Sequence, residues 1–289
     1  MLALEVKGLN KKYDKFQLKD VSFELNKGYI MGFVGSNGAG KTTTLKSILN
    51  MIQIESGAIS IFEKNFDKNE IELKQDIGYA FGGVNFYPKK KIKQVTNTVK
   101  RFYKNWDQKT YELYLEKFKL DPDKKISELS DGMKIKYNIT LALSHNAKLF
   151  ILDEPTSGLD PAARDNLLEL FQELVEDGER SILFSTHITT DLEKCADYIT
   201  YINNGQIIAS DSKDEFMNAY RLISGTKIQL DSIKDSMIAY KVNAFGFSGL
   251  VEVERMPNME GLTIEKPSLE DIMIYYSKRE DKNYAQSNI

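Results

Sequence analysis

A glycine-rich segment that follows a short apolar run constrains this chain more than any other feature of its sequence. Residues 35–42 read Gly-Ser-Asn-Gly-Ala-Gly-Lys-Thr and fit the phosphate-loop pattern G-x-x-x-x-G-K-[ST] without departure. The apolar run Tyr29–Val34 predicts a strand buried on both faces, and Thr42–Met51 has apolar side chains at helical spacing. Strand, loop and helix in this order form the setting that a phosphate-binding loop requires.

This loop supplies candidate binding residues for a nucleotide. Its glycines let the backbone curl so that several N–H groups point at phosphate oxygens, and the following helix adds its positive dipole end. Lys41 is expected to reach the β- and γ-phosphates, and the Thr42 hydroxyl is expected to bind Mg²⁺. The candidate nucleotide-binding residues of this segment are Gly35, Ser36, Asn37, Gly38, Ala39, Gly40, Lys41, Thr42 and Thr43.

Two carboxylates end a second apolar strand, which runs over Lys148–Asp153. A buried strand delivers such residues to the carboxyl edge of the sheet, where ligand sites of α/β proteins lie. Asp153 is expected to hold Mg²⁺ through its water shell, and Glu154 to polarise the attacking water as a general base. Taken alone, the two acids are equally consistent with a solvated pair, and the phosphate loop favours the catalytic interpretation.

Two further sites contain residues that can contact an anion. Ser130 is followed by Gly132 at the start of the predicted helix Met133–Leu143, where in isolation the serine would be an ordinary N-cap. His187 follows a third buried strand and can hydrogen-bond a γ-phosphate. The other histidine, His145, is expected to be a helix-terminal or surface residue. No metal site formed by the two histidines is expected, because no third ligand has suitable spacing.

Strands alternate with helices along most of the chain, which predicts an α/β fold with a mainly parallel sheet. Period-two apolarity at Leu2–Val6 and Val21–Leu25 predicts an N-terminal antiparallel β subdomain. From about residue 84 to 143 the pattern becomes helical, with amphipathic segments at Val95–Trp106 and Thr110–Leu120. We expect this stretch to form a distinct helical lobe inserted into the core.

The pattern changes again near residue 218. We expect residues 1–218 to form a nucleotide-binding domain and residues 219–289 a small α+β extension. Within the extension, Thr226–Glu265 is expected to contain short strands and loops, and Pro267–Ser277 an amphipathic helix.

The charge balance and the cysteine count limit the classes of function. The chain has 39 Lys and Arg against 42 Asp and Glu, so no basic excess points to nucleic acid as a partner. A single cysteine, Cys195, excludes an intramolecular disulfide framework and is compatible with a reducing cytosol. Neither a signal peptide nor an apolar run long enough to span a bilayer is found. A membrane role is therefore expected to depend on a partner subunit.

Taken together and in this order, the motifs resemble the nucleotide-binding domain of ABC (ATP-binding cassette) transporters over roughly residues 1–218. In this resemblance Leu129–Met133 matches the family's signature, Leu149–Glu154 its second acidic motif and Ser157–Asp160 its D-loop. His187 matches the switch histidine. The resemblance implies a P-loop NTPase fold and an ATPase activity that depends on Mg²⁺.

The family's mechanism implies further roles for residues of this chain. Tyr13 matches the aromatic residue that stacks on adenine, and Asp160 belongs to the expected nucleotide contacts. Two such domains pack head-to-tail, as a homo- or heterodimer, with each ATP between one phosphate loop and the partner's signature. Ser130 and Gly132 would therefore serve ATP on the opposite subunit. The resemblance also implies an integral-membrane permease partner and a peripheral position on the cytoplasmic face of the membrane.

Two positions depart from the family pattern. Gly82 stands where the family usually has a glutamine that senses Mg²⁺ and the membrane partner, and Asn85 is a candidate to replace it. The signature reads Ser-Asp-Gly-Met, so Asp131 brings a carboxylate near a triphosphate. Coulomb repulsion disfavours this charge unless it points away or is paired. Gly82 predicts that the usual coupling between the site and the membrane partner is lost, or is provided by Asn85 or another residue. Asp131 predicts a working site with slow turnover.

The segment Pro267–Ile272 resembles the C-terminal part of ATPase subunits of bacterial ABC-2-type exporters, including drug, bacitracin and modulin-peptide exporters. The stretch from Asn105–Asp107 to Lys148 is similar to the same branch. This favours export, with a peptide or drug as a possible cargo. The alternatives are a soluble non-transport ABC ATPase and a regulatory ABC subunit with weak hydrolysis. A P-loop kinase or GTPase would leave His187 and the signature unexplained.

Overall fold

A computed structural model of the chain describes residues 1–81, 87–258 and 260–286. The chain forms two compact units, Met1–Ser210 and Asp211–Ile289. The division lies inside a strand of the first unit's sheet, somewhat before the expected boundary at residue 218. Gly82 and Asn85, the two residues considered for the missing glutamine, lie outside the described residues.

The strands are β1 (Leu2–Tyr13), β2 (Phe16–Asn26), β3 (Ile30–Val34), β4 (Ser56–Ile61), β5 (Lys64–Asn65), β6 (Ile77–Phe81), β7 (Leu149–Asp153), β8 (Ser181–Thr186), β9 (Tyr198–Asn203), β10 (Gln206–Ser212), β11 (Tyr220–Gly225), β12 (Met237–Val242), β13 (Phe247–Glu252) and β14 (Thr263–Glu265). The α-helices are α1 (Lys41–Ile48), α2 (Phe66–Leu73), α3 (Ile92–Val99), α4 (Gln108–Lys117), α5 (Asp131–Leu143), α6 (Pro161–Val175), α7 (Thr189–Cys195), α8 (Lys213–Asn218), α9 (Lys227–Ile233) and α10 (Leu269–Gln286). Short 3₁₀ helices cover Lys74–Asp76, Lys100–Phe102, Ile126–Glu128, Lys234–Ser236 and Val253–Arg255.

The central sheet of the first unit has the strand order β10-β9-β3-β8-β7-β6. Parallel pairing joins β3 to β8 and β9, and β7 to β6 and β8. Every residue of β3, β7 and β8 is buried, which explains why these strands read as continuous apolar runs. Because β8 separates β3 from β7, the phosphate loop and the two carboxylates emerge close together at one edge of the sheet.

A second sheet of the first unit, with the order β2-β1-β4-β5, is antiparallel throughout. Its buried side chains form one apolar cluster with residues of β3, α1, β6 and β7. In the central sheet, a two-residue turn links β9 to β10. Asn204 and Gly205 both have positive φ there, 44° and 73°. This is the backbone that a tight hairpin requires.

The helical stretch between β6 and β7 has its own apolar cluster, which includes Ile92, Tyr111, Leu115 and Leu141. Three buried hydroxyls lie inside it. The hydroxyl of Thr96 lies 2.9 Å from that of Tyr111 and 2.8 Å from that of Tyr137. These bonds join α3, α4 and α5, so the three helices pack around a polar centre whose groups are satisfied.

The predicted helix over Val95–Trp106 is wrong in its second half. α3 ends at Val99 and a 3₁₀ turn follows. The side-chain amide of Gln75 then donates to the carbonyl of Phe102 (2.9 Å) and accepts from the amide of Lys104 (3.0 Å). A side chain distant in sequence therefore holds this backbone and replaces the bonds that a longer helix would have made.

His145 directly follows the end of α5, as one of the two expected alternatives had it, but it is not a surface residue, since 2% of its surface is exposed. Its ring stacks on that of Tyr103 with centroids 3.8 Å apart and planes 10° apart. Its Nδ1 lies 3.2 Å from the carbonyl oxygen of Gln75. Burial lowers the pKa of His145 from 6.5 to about 4. Because α5 ends beneath the segment around Tyr103, the histidine that follows it becomes an interior residue.

The second unit contains an antiparallel sheet with the order β12-β13-β11-β14. An apolar cluster that includes Ile223, Leu230, Ile233 and Val251 joins the sheet to α9. The sequence predicted only strands and loops here, so α9 corrects that expectation. On α10, the hydroxyl of Tyr275 lies 2.8 Å from that of Ser248 on β13.

No helix in the described part of the chain combines the length and the apolarity needed to cross a bilayer. The predicted fold class is confirmed: an α/β core with parallel strands around a phosphate loop, together with an antiparallel β subdomain.

Candidate functional site

The phosphate loop lies between the end of β3 and the start of α1. Gly38 and Gly40 have φ of 83° and 113°, a region that L-residues with side chains rarely adopt. A Cβ at Gly40 would lie 2.8 Å from the ring of Phe16 and 2.7 Å from Leu18, so a larger residue has no room there. Glycine is therefore required at both positions by the backbone conformation, and at Gly40 also by the packing.

Lys41, the first residue of α1, folds back over this loop. Its Nζ donates to the carbonyl oxygens of Gly35 (2.8 Å) and Ser36 (3.3 Å). The same Nζ lies 3.4 Å from Oε1 of Glu154. With 6% of its side chain exposed, Lys41 places a nearly buried positive charge where phosphate oxygens would enter. Without a ligand, the Lys41 ammonium is stabilised by two loop carbonyls and by the carboxylate of Glu154.

Thr42 and Asp153 provide two adjacent oxygen donors for a cation. The Thr42 hydroxyl donates to Oδ2 of Asp153 at 2.8 Å. The other carboxylate oxygen, Oδ1, accepts from the hydroxyl of Ser185 at 2.6 Å. Hydroxyl and carboxylate oxygens are the ligands that Mg²⁺ prefers, and Mg²⁺ commonly takes one or two protein groups plus substrate phosphates. The two residues therefore fit the ion that the sequence predicted.

Glu154 occupies an unusual backbone conformation directly after Asp153. Its φ is 51°, in the left-handed region. The backbone amide of Glu154 donates to Ser185, both to the carbonyl oxygen (3.1 Å) and to the hydroxyl (3.0 Å). Oε2 of Glu154 lies 2.7 Å from Nδ1 of His187. The carboxylate is therefore held between a lysine and a histidine, with 22% of its side chain exposed.

A cavity of about 790 Å³ is lined by Lys41, Thr42, Glu154 and His187, while Asp153 reaches it only through its bond to Thr42. This volume suits a small-molecule ligand. Its lining residues are Lys15, Phe16, Ser36, Asn37, Gly38, Gly40, Lys41, Thr42, Thr43, Glu154, Ser157, His187 and Asn204. Of the remaining predicted loop residues, Ala39 is buried and Gly35 lies against the carbonyl of Ile202. Both residues belong to the packed part of the loop and do not line the cavity.

The sequence missed Lys15, Phe16 and Asn204 as lining residues. Phe16 pairs with Tyr13 across the β1–β2 hairpin and packs against the apolar core below the loop. Asn204 belongs to the β9–β10 turn. Two aromatic residues three positions apart near a hairpin were a usable signal for Phe16, but nothing local distinguished Asn204 from an ordinary turn residue.

Tyr13 does not line this cavity in the described structure. It ends β1 at the rim, with 43% of its surface exposed, and Nζ of Lys11 lies 5.3 Å from its ring centroid. The structure therefore brings Phe16 next to the phosphate loop and leaves the ring of Tyr13 accessible further out.

The signature segment lies apart from the cavity lining of its own chain. Ser130 caps α5, and its hydroxyl accepts from the amide of Met133 at 3.2 Å. Asp131 is 88% exposed and its Oδ1 lies 2.9 Å from Nζ of Lys134. A Cβ at Gly132 would lie 3.0 Å from Leu159, so the signature packs closely on the D-loop.

Asp160 caps α6, and its side chain accepts from the amide of Ala163 at 2.9 Å. Like Ser130 and Gly132, it does not line the cavity described above. The structure thus joins the phosphate loop, the acids and His187 in one place, and presents Ser130, Gly132 and Asp160 elsewhere on the first unit.

Comparison with known proteins identifies the family. Residues 18–157 match the family described as ABC transporter. The ABC transporter ATP-binding protein YtrB of Bacillus subtilis is 33% identical over 218 residues, which cover 75% of this chain and 74% of YtrB. The bacitracin transport ATP-binding protein BcrA of Bacillus licheniformis is 32% identical over 203 residues, which cover 69% of this chain and 66% of BcrA.

A third relative covers more of the chain. The choline transport ATP-binding protein OpuBA of Bacillus subtilis is 29% identical over 279 residues, which cover 90% of this chain and 73% of OpuBA. Among solved structures, an ATP-binding subunit of an ABC transporter superposes with a TM-score of 0.67 at 30% identity, covering 74% of this chain and 91% of that one.

The predicted resemblance is therefore confirmed, including the similarity to the ATPase of a bacitracin transport system. The phosphate loop, Glu154 and His187 line one cavity, and Asp153 is hydrogen-bonded to Thr42 of that loop, as the ATPase chemistry of such domains requires. The chain belongs to the ATP-binding subunits of ABC transporters, a family that hydrolyses ATP.

Proposed function

We propose that this protein binds and hydrolyses ATP to power an exporter, acting through a separate membrane permease. One observation carries the proposal: Lys41, Thr42, Glu154 and His187 line a single cavity, and Asp153 is hydrogen-bonded to Thr42. A binding protein without hydrolysis would need the lysine and the loop. It would not need a carboxylate held beside a histidine at the phosphate end.

The first step is an exchange of partners at Lys41. The triphosphate binds at the loop amides. Its oxygens then replace the present partners of the Lys41 ammonium, which are the carbonyls of Gly35 and Ser36 and the carboxylate of Glu154. This exchange is favourable because several charged oxygens replace two neutral carbonyls and one carboxylate. Release from Lys41 leaves Glu154 in contact with His187 alone.

Glu154 then acts as the general base. Its carboxylate accepts a hydrogen bond from a water positioned for in-line attack on the γ-phosphorus, and His187 keeps the carboxylate in place and contacts the γ-phosphate. Asp153 and Thr42 would hold Mg²⁺, which would supply positive charge to offset the negative charge of the phosphates during hydrolysis. The remaining work, positioning and exclusion of bulk water, belongs to the loop and the cavity walls.

A second cassette is needed to complete the site. The cavity is open to solvent, and the signature residues of the same chain are not among its lining residues. Ser130 and Gly132 lie outside it at an exposed helix start, whose N–H groups suit an anion. We propose that two cassettes pair so that each signature contacts the nucleotide on the opposite phosphate loop.

The permease partner and the direction of transport rest on the relatives. BcrA is named for bacitracin transport, and the Pro267–Ile272 pattern is similar to exporter ATPases, so export is the favoured direction. Uptake is the second candidate, because OpuBA is named for choline transport and matches a larger share of this chain. With no helix in the described residues able to span a bilayer, translocation would belong to another subunit.

The test compares the purified protein with two variants. Glu154→Gln is expected to bind ATP, to lose at least about 99% of its turnover and to accumulate as an ATP-bound dimer in size-exclusion chromatography. Lys41→Ala is expected to lose nucleotide affinity by about tenfold or more. Glu116→Gln, an exposed acid on α4, is the matched control and should behave as the wild type.

Three outcomes separate the alternatives. A wild type that hydrolyses no ATP but binds it would support the regulatory subunit. Activity without co-purification of any membrane protein from its native host would favour the soluble ATPase. When the permease has been captured, ATP-driven loading of inside-out vesicles with a test peptide indicates export, whereas loading of right-side-out vesicles indicates uptake.

A further inference from the structure

We propose that Ser185 is a positioning residue that sets both acids of this site: the cation-binding carboxylate of Asp153 and the general base Glu154. The inference rests on the proposed hydrolysis of ATP and adds a residue that lies outside the phosphate loop, the acidic motif, the signature, the D-loop and the switch histidine. Ser185 itself does not line the cavity, so its effect must pass through the two acids.

Strand register brings the three residues together. On the parallel strands β7 and β8, Asp153 pairs with Ser185, so both lie at the carboxyl edge of the sheet. Ser185 is fully buried, and 7% of the surface of Asp153 is exposed. A polar side chain buried at this position must find its partners among its neighbours, since water cannot supply them.

The Ser185 hydroxyl first fixes the carboxylate of Asp153. It donates to Oδ1 at 2.6 Å, while Oδ2 accepts from the Thr42 hydroxyl at 2.8 Å. Each carboxylate oxygen thus has its own hydroxyl donor on opposite sides. Rotation of the carboxylate about its terminal bond would break both bonds, so the face that meets a cation is kept toward Thr42.

The same hydroxyl then supports Glu154 through its backbone. Its oxygen accepts from the amide of Glu154 at 3.0 Å, and the Ser185 carbonyl accepts from that amide at 3.1 Å. Glu154 has a φ of 51°, which is unfavourable for a residue with a side chain. Two acceptors from one residue hold this backbone, and the backbone aims the carboxylate at Lys41 and His187.

Serine is well suited to both tasks at once. A hydroxyl donates one hydrogen bond and accepts two, so a single side chain can serve a carboxylate and an amide together. Alanine removes both bonds and leaves Oδ1 of Asp153 buried without this donor. Cysteine keeps a similar volume but is a weak donor and a weak acceptor. Both replacements therefore remove the positioning and differ in how well they fill the space.

The experiment pairs Ser185→Ala with Ser181→Ala. Ser181 lies at the other end of β8, is also fully buried, and its hydroxyl accepts from the amide of Gly28 at 2.9 Å. Loss of a buried hydroxyl should lower the unfolding temperature of both variants. Only Ser185→Ala should weaken Mn²⁺ binding to the protein–ADP complex, by about tenfold as for other residues that orient metal ligands.

Two further readouts separate positioning from stability. ATP affinity in EDTA, without divalent ions, should stay within about twofold of the wild type for both variants, because the phosphate loop is intact. kcat should fall by about tenfold or more for Ser185→Ala only. If Ser185→Ala fails to fold, Ser185→Cys is measured instead and should show the same loss of Mn²⁺ affinity.

Equal Mn²⁺ affinity and equal kcat in folded Ser185→Ala and Ser181→Ala would overturn the inference. The wild type distinguishes this from a failure of the proposed function. A wild type that hydrolyses ATP while Ser185→Ala matches its control refutes only the role of Ser185. A wild type without Mg²⁺-dependent nucleotide binding refutes the proposed function, and the role of Ser185 with it.

Discussion

Nδ1 of His187 lies 2.7 Å from Oε2 of Glu154, while the other oxygen of the same carboxylate lies 3.4 Å from Nζ of Lys41. The histidine approaches from the end of β8 and the lysine from the start of α1, so two different parts of the fold meet at one side chain. Either contact can fix the direction of the carboxylate, but the lysine, together with the loop amides, is expected to supply most of the phosphate affinity, and His187 a single contact.

This difference predicts a selective effect for His187→Ala. We expect kcat to fall by about 100-fold, because the base loses the partner that keeps it aimed after Lys41 has moved to the phosphates. ATP affinity should change by less than about threefold, since the loop contacts remain. Steady-state kinetics and direct ATP binding measure the two effects. An equal loss of affinity and turnover would contradict this division of roles.

A second prediction concerns the signature. Asp131 is 88% exposed and paired with Lys134 at 2.9 Å, so its charge is partly compensated at the protein surface. Asp131→Gly should therefore change turnover by less than about threefold, against the slow site that the sequence alone suggested.

Lys134→Ala provides the matching test of the same pair. It should leave the carboxylate of Asp131 without its ion-pair partner and slow ATP turnover in low salt, with recovery in the Asp131→Gly, Lys134→Ala double variant and in 0.5 M KCl. A large gain in turnover from Asp131→Gly alone would mean that the pairing does not shield the nucleotide.

A third prediction separates the two aromatic residues of the first hairpin. Phe16 packs beside Gly40 of the phosphate loop, whereas the ring of Tyr13 is accessible at the rim. Tyr13→Ala should weaken ATP binding about tenfold through lost stacking and leave tripolyphosphate binding unchanged. Phe16→Ala should weaken both ligands, because it loosens the loop itself. Asp14→Ala, in the same turn, is the control, and isothermal titration calorimetry measures all three.

A fourth prediction concerns pH. Burial lowers the pKa of His145 from 6.5 to about 4. Between pH 4 and pH 6.5, His145 is therefore mostly protonated in the unfolded chain and mostly neutral in the folded chain. Stability is therefore complete above about pH 6.5 and is lost as the pH falls toward 4, by up to about 3 kcal/mol. Urea unfolding at pH 7, 5.5 and 4.5 measures the loss.

The histidine variants test the assignment of this acid sensitivity. His145→Phe keeps a ring on Tyr103 and should flatten the curve. His187→Gln, at the chain's other histidine, should keep the slope of the wild type. The same slope in His145→Phe would assign the acid sensitivity to other groups.

A fifth prediction concerns the turn between β4 and β5. Phe62 and Glu63 both have positive φ, 50° and 62°, although neither is glycine or asparagine. Glu63 is exposed, so Glu63→Gly should remove strain without loss of packing and raise stability by about 1 kcal/mol. Lys64→Gly, one residue later in β5, should lower stability instead. Thermal unfolding of the two variants decides the sign.

The parts of the site that adjoin one another in sequence could be predicted from it. A loop of six residues between a buried strand and a helix, and two acids at a strand end, carry their chemistry in local order. Ser185 could not be recognised as a partner of Asp153, because that contact depends on the register of β7 against β8. Phe16 depended in the same way on the pairing of β1 with β2.

The helix α9 and the early end of α3 differ from the prediction for different reasons. Thr226 and Gln229 form a capping box at the start of α9, so the sequence itself contains a signal for this helix. The early end of α3 had no local signal. It depends on Gln75, which bonds the backbone on both sides of Tyr103. Periodicity cannot reveal a bond whose partner lies in another element.

The position of Lys41 has a consequence for the protein when nucleotide is scarce. Its ammonium contacts three oxygens of its own chain, one of which belongs to Glu154. A ligand must be long enough and anionic enough to draw that ammonium away before the carboxylate is released toward water. Binding of the triphosphate to Lys41 and release of the Glu154 carboxylate thus occur together. Without such a ligand, the carboxylate of Glu154 keeps its contact with Lys41.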